Sequence, residues 1–145
     1  MASIKVETGL KTYDIEDENG NIRGQITINP SDVNFIPRAR QMKDAIQEHV
    51  KKAEELAKKE GLTEDDIIAQ IASIDADIKA EINKLFNADV SDIIFGEQSC
   101  LNTLNGVSFV ERFIKAVMPI IEAEFTEEQR KSAERVNKYV SQASK

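Results

Sequence analysis

Cys100, the single cysteine of the chain, closes the stretch SDIIFGEQSC (residues 91–100), a few residues after a glycine and a carboxylate at Gly96 and Glu97. A thiol in such a setting could act as a nucleophile if a neighbouring base or cation lowered its pKa. The only histidine available for that role is His49, within the run His-Val-Lys-Lys. Neither residue sits in a local nucleophile signature, so a Cys100–His49 dyad would have to be assembled by the fold alone. The competing reading is a turn between helices, with Cys100 as a small buried apolar side chain. That reading is adopted: no catalytic residue is assigned, and a Cys-dependent enzyme is the least favoured functional class.

Other chemistries are poorly served. No second His or Cys stands at metal-ligand spacing from His49, and no metal or cofactor site is assigned. The glycines form neither a dinucleotide fingerprint nor a phosphate loop ending in Gly-Lys-Ser/Thr. The acidic run Thr63–Asp66 lacks the alternating ligands and glycine of a calcium loop, so helix capping accounts for it better. Asp75 and Asp77 lie two apart on a predicted helix, cannot share a face, and read as solvated.

Composition narrows the classes further. The 145 residues fit one domain (1–145), with 31% charged and 41% hydrophobic residues and a net charge of −7. An acidic chain without a dense basic face is repelled by nucleic acid phosphates. No apolar run approaches the roughly 18 residues of a membrane span, and MASIKVETGLK has no apolar signal core. The expectation is a cytoplasmic protein that binds neither nucleic acid nor membrane, and a lone cysteine agrees with a reducing compartment.

The elements that must position these residues follow from period and punctuation, and give an α+β chain that is mainly α. In residues 1–30, Tyr13 and Ile15, then Ile22, Ile26 and Ile28, alternate with polar residues about Asn19-Gly20, which predicts a β-hairpin. Ile4 and Val6 suggest a third short strand. Residues 31–86 predict an antiparallel helical hairpin. Its first helix starts near Pro37 and carries Ala39, Met42, Ile46, Val50, Ala53 and Ala57; Gly61 ends it. Its second is capped by Thr63 and carries Ile67, Ile71, Ile74, Ile78, Ile82 and Leu85. Residues 37–60 have a charge balance of +2 and residues 61–100 of −7, which favours the pairing, although exposed ion pairs are worth at most about 1 kcal/mol each.

Residues 87–145 predict a C-terminal helical part, for about four to five helices in all. A short turn of helix at Asp92–Phe95 ends at Gly96, and Ser108 with Glu111 forms a capping box for an apolar core helix. Pro119 should kink or break that helix. A second capping box at Thr126–Gln129 should open a last helix whose weak stripe, Ala133, Val136 and Val140, frays or docks on something else. An isolated hairpin is marginal in water. It must pack on the helices, pair with another copy or receive a partner strand; closure of all these elements into a monomeric core is the rival reading.

Two stretches carry a family resemblance: VETGLKTYDIEDENGNIRGQITINPSD (6–32) and IIFGEQSCLNTLNGVSFVERFIKAVMPIIEAEF (93–125). Together they resemble the tail assembly chaperones of long-tailed phages and prophages of Gram-positive bacteria. The resemblance implies a small, acidic, mostly helical protein that coats the tape measure protein, recruits tail tube subunits and leaves before the tail is complete. A longer frameshifted form commonly accompanies such a protein. The expectation is thus a non-catalytic chaperone in the bacterial host, with self-association through the hairpin as a further contact. The partner-binding residues expected are Ile22, Ile26 and Ile28 on the hairpin, and Phe109, Phe113, Val117 and Ile121 on the core helix. The alternative is a structural virion component of the tail or of head completion.

Overall fold

Strand β1 (Lys11–Glu16) pairs antiparallel with β2 (Ile22–Ile28), as the alternation predicts. The turn owes more to Asp17 than to Asn-Gly. Its carboxylate accepts the backbone N–H groups of Asn19 (2.9 Å) and Asn21 (3.0 Å), and only Gly20 takes a positive φ. The computed structural model describes residues 2–143. The expected third strand does not form. Residues 2–10 run without a ladder, Ile4 is 93% exposed, and the chain turns at Gly9 (φ 81) against Ser31.

Pairing in the hairpin runs regularly from Lys11↔Ile28 to Ile15↔Gly24, then jumps to Glu16↔Ile22. Arg23 is thus an extra residue, a bulge. It reaches over to donate Nε–H to the Ile93 carbonyl at 3.0 Å. Gly24 beside it lies so close to Ile93 that a Cβ would fall 2.7 Å from Ile93 Cγ2. Gly24→Val should therefore lower stability by about 1–3 kcal/mol through overpacking. An unchanged denaturation midpoint would show that the hairpin is not pressed onto Ile93.

Helices α1 (Phe35–Leu56) and α2 (Glu64–Phe86) form the expected hairpin. The rings of Phe35 and Phe86 meet at 6.4 Å at one end, and Leu56 at the far end of α1 lines a cavity with Gln70 and Ile74 of α2, so the two run antiparallel. The Thr63 cap is a full capping box: Thr63 Oγ1 accepts the Asp66 N–H (3.1 Å) and Asp66 accepts that of Thr63 (3.4 Å). Among the described residues no ion pair joins α1 to α2. Arg40 of α1 instead makes a bidentate bond to Glu122 (2.8 and 2.7 Å), so apolar packing alone holds the helical hairpin. The stripe is buried at Ala39, Met42, Ile46, Val50, Ile78, Ile82 and Leu85. Ile67 and Ile71 are half-buried, Ala57 is exposed, and Leu56 takes the last buried place on α1.

The short helix α3 (Ser91–Phe95) ends at Gly96 (φ 61). Strands β3 (Thr103–Leu104) and β4 (Val107–Ser108) make a second, minimal hairpin about Asn105 (φ 55) and Gly106 (φ 81). Both turn residues have positive φ, the conformation that Asn-Gly favours. Helix α4 (Phe109–Ala143) then runs unbroken through Pro119 and Thr126. Two expectations are corrected here. Lys115 and Pro119 both lie on the exposed side, where water can satisfy the carbonyl that Pro119 leaves unpaired. Thr126 opens no new helix: α4 passes through it unbroken, and Arg130, bonded to Glu127 and Glu134, supports the turns that follow.

The core gathers where all these elements meet. Phe95 is fully buried, edge-on to Phe109 (4.9 Å) and Phe113 (6.3 Å), among Ile28, Ile46, Ile78, Ile82, Val110 and Ile121. Beyond Glu128 every described side chain of α4 is exposed. Glu124 of α4 ties down β1 by accepting from Lys11 and from the Tyr13 hydroxyl (3.0 Å).

Candidate partner-binding groove

Two places could have carried function, and the geometry separates them. The first is the Cys100 loop. Cys100 is fully buried, and its N–H donates to Asp75 Oδ1 at 2.7 Å. The same carboxylate pairs with Lys79 (3.1 Å) and accepts from the Ser99 hydroxyl (3.4 Å). Lys79 in turn donates to the Gln98 carbonyl at 3.0 Å. Asp75 is therefore the clamp that holds residues 98–100 onto α2, which corrects its assignment as a solvated side chain.

The loop in turn satisfies the start of α4. The carbonyls of Asn102 and Cys100 accept the N–H groups of Phe109 (2.8 Å) and Val110 (2.9 Å), and Ser108 Oγ accepts that of Glu111 (3.3 Å). Burial, and next the adjacent Asp75, push the Cys100 thiol far above its ordinary value of 9.0. A nucleophilic cysteine requires the opposite shift. The hydrogen bonds of Cys100 run to Asp75 and Val110, none to His49, which lies half-buried on α1.

The second place is a groove of about 850 Å³ between the inner face of the β1–β2 hairpin and the first half of α4. Tyr13, Ile15, Ile26 and Ile28 form one wall; Phe109, Phe113, Ala116, Val117 and Ile120 form the other, with Ile94 and Leu104 between them. Asp17 and Glu18 stand at its β1 end, while Asp14 and Glu16 border it with their side chains on the exposed face of the strand. Arg112 lies in the groove with its guanidinium 4.8 Å from the Phe109 ring, and its buried Nε has no hydrogen-bond partner. Tyr13 is held by Glu124; burial, and then that carboxylate, raise its pKa.

Of the seven expected partner-binding residues, five come together here: Ile26, Ile28, Phe109, Phe113 and Val117. Phe109 is half-buried, while the other four form the buried floor. The remaining two are placed elsewhere. Ile121 faces the core at 2% exposure, off the groove. Ile22 is 62% exposed, because the bulge at Arg23 breaks the two-residue period and turns it away from Ile26 and Ile28.

The more accessible wall is Ala116 and Ile120: the sequence counts Ile120 only among the apolar residues of the core helix and gives Ala116 no role, although both continue the helical spacing from Phe109 and Arg112. Chemically the groove offers apolar contact, carboxylates at its β1 end and the guanidinium groups of Arg23 and Arg112, which suits an amphipathic segment with positive charge at the β1 end. Among the described residues no group of three His, Cys, Asp or Glu could hold a metal ion, and no helix is long and apolar enough to cross a membrane. Comparison with protein-family models, with curated proteins and with solved structures finds no match to this chain.

Proposed function

We propose that this protein is a non-catalytic tail assembly chaperone of a phage or prophage, acting in the cytoplasm of the bacterial host. In this reading the groove takes an amphipathic helix of the tape measure protein, and the hairpin side faces tail tube subunits. The observation that carries it is the groove itself: apolar on both walls, open along Ala116 and Ile120, and acidic at the turn that follows β1. An apolar partner helix flanked by lysine or arginine would bury its stripe there and set its charges against Asp17 and Glu18. The resemblance of residues 6–32 and 93–125 to such chaperones supplies the identity of the partner. The burial of Cys100, which raises its thiol pKa, and its part in holding α4 support a non-catalytic role.

Co-expression with the tape measure protein should convert that protein from an aggregate to a soluble complex. If its solubility and association are unchanged, the proposal fails.

A further inference from the structure

The segment Ala2–Leu10 carries apolar side chains that nothing in the chain covers: Ile4 is 93% exposed, Val6 73% and Leu10 56%. Extended backbone places Ile4 and Val6 on one side and Lys5 and Glu7 on the other. The sheet it leads into has only two strands. Strand β2 packs on α2 and α3, whereas β1 packs extensively on β2 alone, so the outer edge of β1 is left without a ladder partner. Along β1 the sides also alternate, with Tyr13 and Ile15 toward the groove and Asp14 and Glu16 toward solvent.

Antiparallel pairing in which positions sum to 19 matches the two patterns. Val6 then stands opposite Tyr13, Ile4 opposite Ile15, Lys5 opposite Asp14 and Glu7 opposite Thr12. Parallel pairing that kept Lys5 beside Asp14 would set Glu7 beside Glu16. Within one chain the antiparallel pairing demands a two-residue turn at Gly9–Leu10. The structure instead holds Gly9 against Ser31, so closely that a Cβ would fall 2.3 Å from Ser31 Oγ. We propose that residues 2–8 of one copy add as a strand to the β1 edge of a second copy, reciprocally, about a two-fold axis at Gly9–Leu10. Such an interface is isologous and closes at a dimer. It stands independently of the partner the groove takes.

Light scattering across a concentration series tests this. The full chain should reach the mass of two copies, and Ile4→Asp combined with Val6→Asp should return it to one, with an unchanged circular dichroism spectrum. Lys5→Glu should weaken the dimer about tenfold, since each dimer holds two such pairs worth a few-fold each, and Asp14→Lys in the same chain should restore it. A wild-type chain of single-copy mass at every concentration overturns the proposal, as does a dimer that survives the double substitution. Ile4→Asp with Val6→Asp leaves every groove residue intact, so on that variant loss of the dimer and loss of tape measure binding are read separately.

Discussion

Phe95→Ala should cost about 4 kcal/mol, a large share of the roughly 5–15 kcal/mol that stabilises a domain of this size. Phe95 comes from a helix of five residues, yet it is wholly buried and edge-on to two rings of α4. Its removal deletes a large apolar surface and leaves a cavity whose rigid walls, α2 and α4, cannot close on it. Phe95→Leu keeps most of the volume and should cost about 1–2 kcal/mol. Ile22→Ala, an apolar truncation on the exposed face, should stay within about 0.5 kcal/mol. Urea denaturation distinguishes the three. Equal losses for Phe95→Ala and Ile22→Ala would mean that α3 does not anchor the core. The groove should suffer too, because Phe109 rests on Phe95 and forms one of its walls.

Asp75→Ala is expected to lower stability by about 2–3 kcal/mol, since it strips a charged acceptor from the buried N–H of Cys100. Ser99 and Lys79 lose their partner as well, and the loop that satisfies the first turn of α4 is freed from α2. Asp77→Ala, two residues away and exposed, should be nearly silent. The pH dependence adds a second readout. Burial raises the Asp75 carboxyl, but the contacts from the Cys100 thiol and N–H and from Lys79 outweigh it, so the net shift is below the ordinary value of 3.8. A depressed folded pKa contributes stability that is fully present above that value and lost as pH falls through the folded one. Wild type should therefore lose stability relative to Asp75→Asn in that acid range. Parallel acid profiles would remove Asp75 from this role.

Much of the architecture could be read from the chain because period and punctuation agreed. Tyr13, Ile15, Ile26 and Ile28 alternate about a turn, and Thr63 precedes a six-residue apolar stripe. The misreadings arise where one residue's effect depends on a distant element. The bulge at Arg23 reverses the facing of Ile22, and nothing local announces it; its reason is the Ile93 carbonyl, 70 residues further on. Asp75 looks solvated on a helical wheel because its partner is a backbone N–H in another segment. Pro119 has the sequence signal of a helix break, but the tertiary packing of Val117, Met118 and Ile121 on either side holds the helix together. The β3–β4 turn was missed, although Leu104-Asn105-Gly106-Val107 carries an Asn-Gly signal of the same kind as at residue 19.

The groove was legible in part. Its floor is apolar and periodic, and therefore visible in the sequence. Its shape depends on how far the hairpin stands from α4, which tertiary contacts such as that of Tyr13 with Glu124 set. Ala116 and Ile120 matter because of that spacing, not because of their residue types.

Binding of the tape measure protein to wild type and to Ala116→Arg tests the central claim most directly. Ala116 lines the groove but is exposed and outside the core, so the arginine fills the groove without unfolding the chain. The groove reading predicts affinity at least about tenfold weaker for Ala116→Arg, a loss of about 1.4 kcal/mol, at unchanged stability. Equal affinity for the two proteins would contradict it.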